Sequence, residues 1–126
     1  MPRFDGTRGG IVVAESEIVV PSAARTTSNT QTLDPLWGYV QALRMQLDVT
    51  AASGTTPTLD VVLEDSLDGT NWNTVKAFAQ KIAAGREVVN VLPADQFGQP
   101  LRMRWTIGGG TPSFTFSVRM MPVIGR

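Results

Sequence analysis

From Val40 onward the chain alternates apolar and polar positions with a period of two. Leu43, Met45, Leu47 and Val49 are separated by Arg44, Gln46 and Asp48, which predicts a strand with one buried and one wet face. Leu59, Val61 and Leu63 alternate with Asp60, Val62 and Glu64 in the same way. Leu101, Met103, Trp105 and Ile107 alternate with Arg102, Arg104 and Thr106, and Phe114, Phe116, Val118 and Met120 with Thr115, Ser117 and Arg119. A less regular strand runs through Trp72, Val75 and Phe78, and Glu87 to Leu92 forms another that stops at Pro93. Phe78 to Arg86 is too short for a stable helix and reads as strand, turn and strand.

The first third of the chain is different. Met1 to Gly10, with Gly6, Gly9 and Gly10 beside Arg3 and Arg8, has the composition of an arm that cannot bury enough surface to order by itself. Ile11 to Ala14 and Ile18 to Val20 are short β-branched runs, the second ended by Pro21, and Ser22 to Thr32 is a polar link. Pro and Gly bracket the bulky residues of Leu33 to Gly38, which predicts a helical turn or tight corner there. Residues 1–32 are thus an arm with the first edge strands and a linker, and 33–126 a sandwich domain. About seven to nine short strands separated by turn signals predict an all-β fold, a jelly-roll-like β-sandwich with an extended N-terminal arm.

The chain also repeats itself. Arg44-Met45-Gln46-Leu47 with Gly54-Thr55-Thr56-Pro57 and the strand after it parallels Arg102-Met103-Arg104-Trp105 with Gly109-Gly110-Thr111-Pro112 and its following strand. The expected reading is one hairpin occurring twice, the second closed by a loop at Gly108 to Pro112.

Composition narrows the function classes. A chain of 126 residues fits one core. Only 17% of its residues are charged, and eleven basic residues balance eleven acidic ones, so no net field attracts nucleic acid or an anionic membrane. Nine of the basic residues are Arg, a bias that suits interfaces. Histidine and cysteine are both absent, which removes the usual general base, the thiol nucleophile and the commonest transition-metal ligands. The expectation is a protein that is not an enzyme, needs no cofactor, and is made in the cytoplasm without an export signal.

Two local features retain some chemistry. In Asp65-Ser66-Leu67-Asp68-Gly69-Thr70-Asn71-Trp72, the oxygens of Asp65, Asp68 and Asn71 are weak candidates for a hard cation. The spacing is not that of an EF-hand loop, and a hairpin turn accounts for the string more simply. Arg44, Arg102, Arg104 and Arg119 lie on polar strand faces, where they can pair with Asp48, Asp60 and Glu64 across strands or bind an anion. Trp37, Trp72 and Trp105 are expected in the core or at a subunit interface.

The string Ser66 to Trp72, Phe97-Gly98, Leu101 to Trp105 and Gly110 to Val118 resembles small β-sandwich structural proteins of tailed-phage head and tail modules, over roughly residues 40 to 121. That resemblance implies a capsid decoration or auxiliary head protein in the virion. It would be a homo-oligomer, a trimer by that resemblance, binding the major capsid protein or other virion proteins through its arm and one end of the sandwich. Arg3, Phe4, Arg8, Ile11, Val12 and Val13 are then the residues expected to add to a neighbour by strand pairing. A tail, neck or connector component is the alternative within the same class. The Ser66-x-Asp68-Gly69-x-x-Trp72 element is also similar to one in discoidin-type carbohydrate-binding domains, which makes a glycan the alternative ligand, stacked on Trp72. The same element is similar to the Asp-box of sialidases, which is longer by one residue and is likewise a turn.

Overall fold

A computed structural model describes residues 15–123 in full, together with the backbone of two short strands before them. Those two, β1 (Asp5–Arg8) and β2 (Ile11–Val13), pair antiparallel as a separate two-stranded sheet. The others are β3 (Glu17–Arg25), β4 (Asn29–Thr32), β5 (Ala42–Ser66), β6 (Trp72–Ala77), β7 (Gly85–Val91) and β8 (Leu101–Val123), with single 3₁₀ turns at Pro35–Tyr39 and Pro93–Asp95. The hydrogen-bonded order is β3-β8-β5-β6, with β4 also on β8 and β7 also on β5. The fold is all-β, as the alternation predicts.

The two repeated segments do not form two hairpins. β5 runs on for 25 residues and β8 for 23, and they pair with each other from Ala42 opposite Val123 to Asp65 opposite Leu101. The residues expected to turn at Gly54 to Pro57 and Gly108 to Pro112 instead bend these strands in mid-course, where the register shifts. Gly54 and Gly109 have φ of 120° and 111°, and Thr56 and Thr111 have φ of 46° and 42°. The repeated Gly-x-Thr-Pro therefore encodes the same bend twice, once on each partner strand.

The bends are packed reciprocally. A Cβ on Gly54 would lie 2.9 Å from the carbonyl oxygens of Gly110 and Thr111 and from Pro112 Cα, while one on Gly109 would lie 2.8 to 2.9 Å from the oxygens of Thr56 and Thr55 and from Pro57 Cα. Only a residue without a side chain permits that approach, and the positive φ excludes most others on its own account. Each bend is thus held by the other.

Bending both central strands folds the sheet over on itself and gives a sandwich. Its first layer holds β3, the C-terminal half of β8, the N-terminal half of β5 and β7; the second holds β4 and the other halves of β8 and β5 with β6. Leu43, Met45, Leu47, Phe114, Phe116 and Val118 from one layer meet Leu59, Val61, Leu63, Met103 and Trp105 from the other in one core. Trp105 and Phe116, eleven positions apart on β8, touch edge to face across it with centroids 5.7 Å apart, a favoured aromatic geometry.

Two further expectations change. β3 does not end at Pro21 but continues to Arg25, because Pro21 falls where the pairing with β8 shifts register on an edge strand, so its missing N–H breaks no ladder bond. Residues 78–84 join β5 through the hydrogen bond from Phe78 N to Val61 O and an isolated bridge between Leu59 and Lys81. That segment carries the chain from one layer to the other past the bends.

Replacing either bend glycine should therefore be costly. Gly54→Ala and Gly109→Ala are each expected to lower stability in urea unfolding by at least about 2 kcal/mol, from the positive φ together with the backbone clash. Gly69, with φ of 81° but nothing within 4 Å of an added Cβ, should lose only about 1 kcal/mol.

Candidate functional site

The Ser66–Trp72 segment closes the hairpin between β5 and β6, and its polar atoms face one another. The Asp68 carboxylate accepts from Thr70 N (2.8 Å), Asn71 N (2.7 Å) and Asn71 Nδ2 (2.7 Å). Ser66 Oγ accepts from Gly69 N at 2.8 Å and donates to the Asn71 carbonyl at 2.7 Å. The Asn71 N–H first, with the Asn71 amide and the Thr70 N–H, holds the Asp68 carboxyl well below the usual carboxylate range. The turn brings Asp68 and Asn71 together, but the Asp65 carboxylate turns away to accept from Gly98 N at 3.2 Å. Among the described residues no group of three His, Cys, Asp or Glu side chains could hold a metal ion.

On the outer face of the second layer the charges satisfy one another. Glu64 is buried to 4% exposure and takes Arg102 Nε at 2.8 Å and Arg104 Nε at 2.9 Å, one on each carboxylate oxygen. Arg102 is also stacked over Trp72, 4.0 Å from the ring centre, so that face of the indole is closed to a sugar ring. Asp60 accepts from Gln80, and Lys76 pairs with Asp95 at 3.3 Å. These are the cross-strand pairings the alternation suggests for Arg102, Arg104, Asp60 and Glu64, with Gln80 taking the place of an arginine at Asp60.

The outer face of the first layer is different. Arg44, Gln46 and Asp48 on β5 lie beside Met121, Arg119 and Ser117 on β8, and beside Asn90, Val88 and Arg86 on β7. Arg86 reaches Asp48 at 3.8 Å and Arg119 reaches Ser16 Oγ at 3.3 Å, whereas Arg44 has no ion pair among the described residues. A shallow groove of about 290 Å³ runs here between Arg44, Val88, Arg119 and Met121.

Because β5 and β8 fold back, their four ends meet at the end of the sandwich opposite the bends. Leu36, Tyr39, Leu67, Leu92 and Val123 are exposed there, and a hollow of about 470 Å³ is lined by Ala42, Leu43, Val91, Leu92 and Val123. The Pro35–Tyr39 turn is anchored by Trp37, which is 1% exposed, and by the Asp34 carboxylate, which accepts from Leu36 N. Trp37 and Trp105 are core residues and Trp72 is half-buried under Arg102.

At the opposite side Arg25 seals the junction between layers. Its guanidinium donates to the carbonyls of Phe116 (2.9 Å) and Pro21 (2.7 Å) and lies over the rings of Phe116 and Trp105. Burial lowers its pKa. Nothing in the polar run Ser22 to Thr32 marks this role, which depends on β3 continuing past Pro21.

Of the residues expected to bind a partner, Arg3 and Phe4 lie outside the described residues. Arg8 lies in β1, and Ile11, Val12 and Val13 form β2. Those strands pair with each other and not with the six-stranded sheet.

No protein-family model matches the chain, and no curated protein matches it. Among solved structures it is similar to the PBSX exported protein XepA, with a TM-score of 0.60 and 19% identity over 89% of this chain and 38% of that one. It is also similar to a structure of Bacillus endospore appendages, described as a novel family of disulfide-linked pili, with a TM-score of 0.52 and 14% identity over 90% and 88% of the two chains. A structure of infectious bursal disease virus, Gt strain, aligns with a TM-score of 0.43 and 13% identity.

The Ser66–Trp72 turn makes a pH prediction. A carboxyl whose folded pKa is depressed adds stability that is fully present above its unfolded value near 4 and is lost as pH falls toward the folded value. Asp68→Asn should therefore unfold at lower urea than the parent at pH 7, with the gap narrowing below about pH 4. Equal midpoints at pH 7 would contradict this account of the turn.

The chain spans only 38% of the XepA chain, and at these identities the likeness to XepA and to the appendage protein is one of fold: an all-β sandwich shared with proteins of otherwise separate description.

Proposed function

We propose that this chain is a structural protein of a phage particle, most specifically a decoration protein that binds the outer shell as a symmetric homo-oligomer. The observation that carries the reading is the distribution of exposed apolar side chains. Among the described residues five of the eight exposed large apolar side chains, Leu36, Tyr39, Leu67, Leu92 and Val123, lie on segments that meet at one end of the sandwich, while the outer face of the second layer closes its charges on itself. Exposed apolar clusters of this kind mark sites of contact with other proteins.

The fold likeness to the phage PBSX exported protein XepA supports the particle reading. The likeness to a pilus protein, extending over nearly the full length of both chains, supports assembly as the use of this fold. The disulfide linkage named for those pili has no counterpart here, since the sequence has no cysteine. On this reading the shell contact uses Leu67, Leu92 and Val123 of the apolar end together with the arm, in which Arg3, Phe4, Arg8 and the Ile11 to Val13 run extend a neighbour's sheet. β3, β4, β6 and β7 each pair on one side only within the six-stranded sheet, so such edges exist on this domain as well. Binding then draws on many weak contacts repeated by symmetry, and no catalytic group is required.

Light scattering of the purified protein should give a defined oligomer, and that oligomer should co-sediment with expanded phage shells. Deleting Met1 to Val13 should abolish or strongly weaken co-sedimentation while leaving the melting temperature close to that of the full chain. A monomer that ignores shells but is retained on a glycan array would replace this reading with that of a carbohydrate-binding module.

A further inference from the structure

The two outer faces of the sandwich differ in a way that folding alone does not require. The second layer buries Glu64 beneath Arg102 and Arg104, but the first layer leaves Arg44 without a carboxylate partner among the described residues and Arg119 with only the Ser16 hydroxyl. Beside these two cations stand Val88, 43% exposed, which lines the 290 Å³ groove, and Ile18, 47% exposed, opposite Arg119 on the neighbouring strand. Exposed arginine beside exposed apolar side chains is the composition of a protein interface and not of an ordinary wet sheet face.

The same chain carries a projection of complementary chemistry. The Asp34 to Tyr39 corner presents Tyr39, 73% exposed, and Leu36, 40% exposed, next to the Asp34 carboxylate. It is rigid: Trp37 is buried, Trp37 N donates to Asp34 O at 3.1 Å, and Gly38 packs so closely on Gln99 that a Cβ would lie 2.8 Å from Gln99 Cβ. A preordered projection loses little entropy on docking, and tyrosine and arginine are among the residues that most often dominate binding energy.

We infer that the Asp34–Tyr39 corner of one copy seats in the Arg44–Arg119 groove of the next, with Tyr39 against Val88 and Met121, its ring under an arginine, and Asp34 facing the cations. Corner and groove are different surfaces, so the contact is heterologous: every copy gives one corner and offers one groove, and the series closes into a ring or continues as a filament. The inference rests on the homo-oligomer reading above and names its contact.

The test is sedimentation velocity on the full chain and on two variants that alter only exposed side chains, Tyr39→Ala with Leu36→Ser, and Arg44→Glu with Val88→Ser. Each variant alone should associate about tenfold or more weakly than the parent and run as a monomer. Mixed one to one, the two should form a dimer and nothing larger, because one intact groove and one intact corner remain between them. Thr30→Glu, on the outer face of the second layer, should assemble like the parent. If the parent is oligomeric and both variants assemble unchanged, or if the mixture stays monomeric, the groove and corner are not the contact and the inference falls while the oligomer reading stands. A parent that is monomeric at every concentration overturns both.

Discussion

Two polypeptide backbones cross in van der Waals contact only where neither sends a side chain toward the other, and the crossing of β5 with β8 meets that condition twice. Gly54 lies against Gly110, Thr111 and Pro112, and Gly109 lies against Thr55, Thr56 and Pro57, each in a backbone conformation that L-residues rarely adopt. Because the bends face each other, neither strand can straighten without driving its partner's backbone out of place. The local sequence Gly-x-Thr-Pro supplies this at both sites, with the proline resuming the extended chain where no ladder N–H is needed.

The sandwich follows from that crossing. A flat six-stranded sheet would leave one apolar face in water; bent in the middle, it turns that face onto itself and buries Phe114, Phe116 and Trp105 against the leucines and methionines of β5 and β8. Full burial of each such side chain stabilises the fold by about 1.5 to 3 kcal/mol. The link from one layer to the other is therefore continuous strand on β5 and β8, and Arg25 fills the remaining gap by donating to carbonyls and covering two rings.

The alternation of Leu43 to Val49, Leu59 to Leu63, Leu101 to Ile107 and Phe114 to Met120 made nearly all of the core legible, since period two fixes which side chains share a face. The repeat was legible too, but its pairing was not. A Gly-rich break between two alternating runs is compatible with a hairpin and with a bend, and only the long-range register, Met45 opposite Met120 and Leu63 opposite Met103, separates them. The surface was harder to read. Arg44, Arg102, Arg104 and Arg119 have the same local pattern, yet Arg102 and Arg104 share Glu64 while Arg44 stands apart, because the partner of each depends on which strand lies beside it. The Ser66–Trp72 turn, whose donors and acceptors are all local, could be read directly from its residues.

These features converge on a surface divided by the fold itself: a bend end held by backbone crossings, a second-layer face closed by ion pairs, and an apolar end with an adjoining arginine face that remain open for contact. Amide hydrogen exchange, compared between dilute protein and the assembled state, tests that division most directly. The account predicts new protection at the Asp34–Tyr39 turn, around Leu92 and along β7, with the segments around Gly54 and Gly109 unchanged. Protection that appears at the bends or on the β4 and β6 side, leaving the apolar end as open as in the dilute protein, would contradict it.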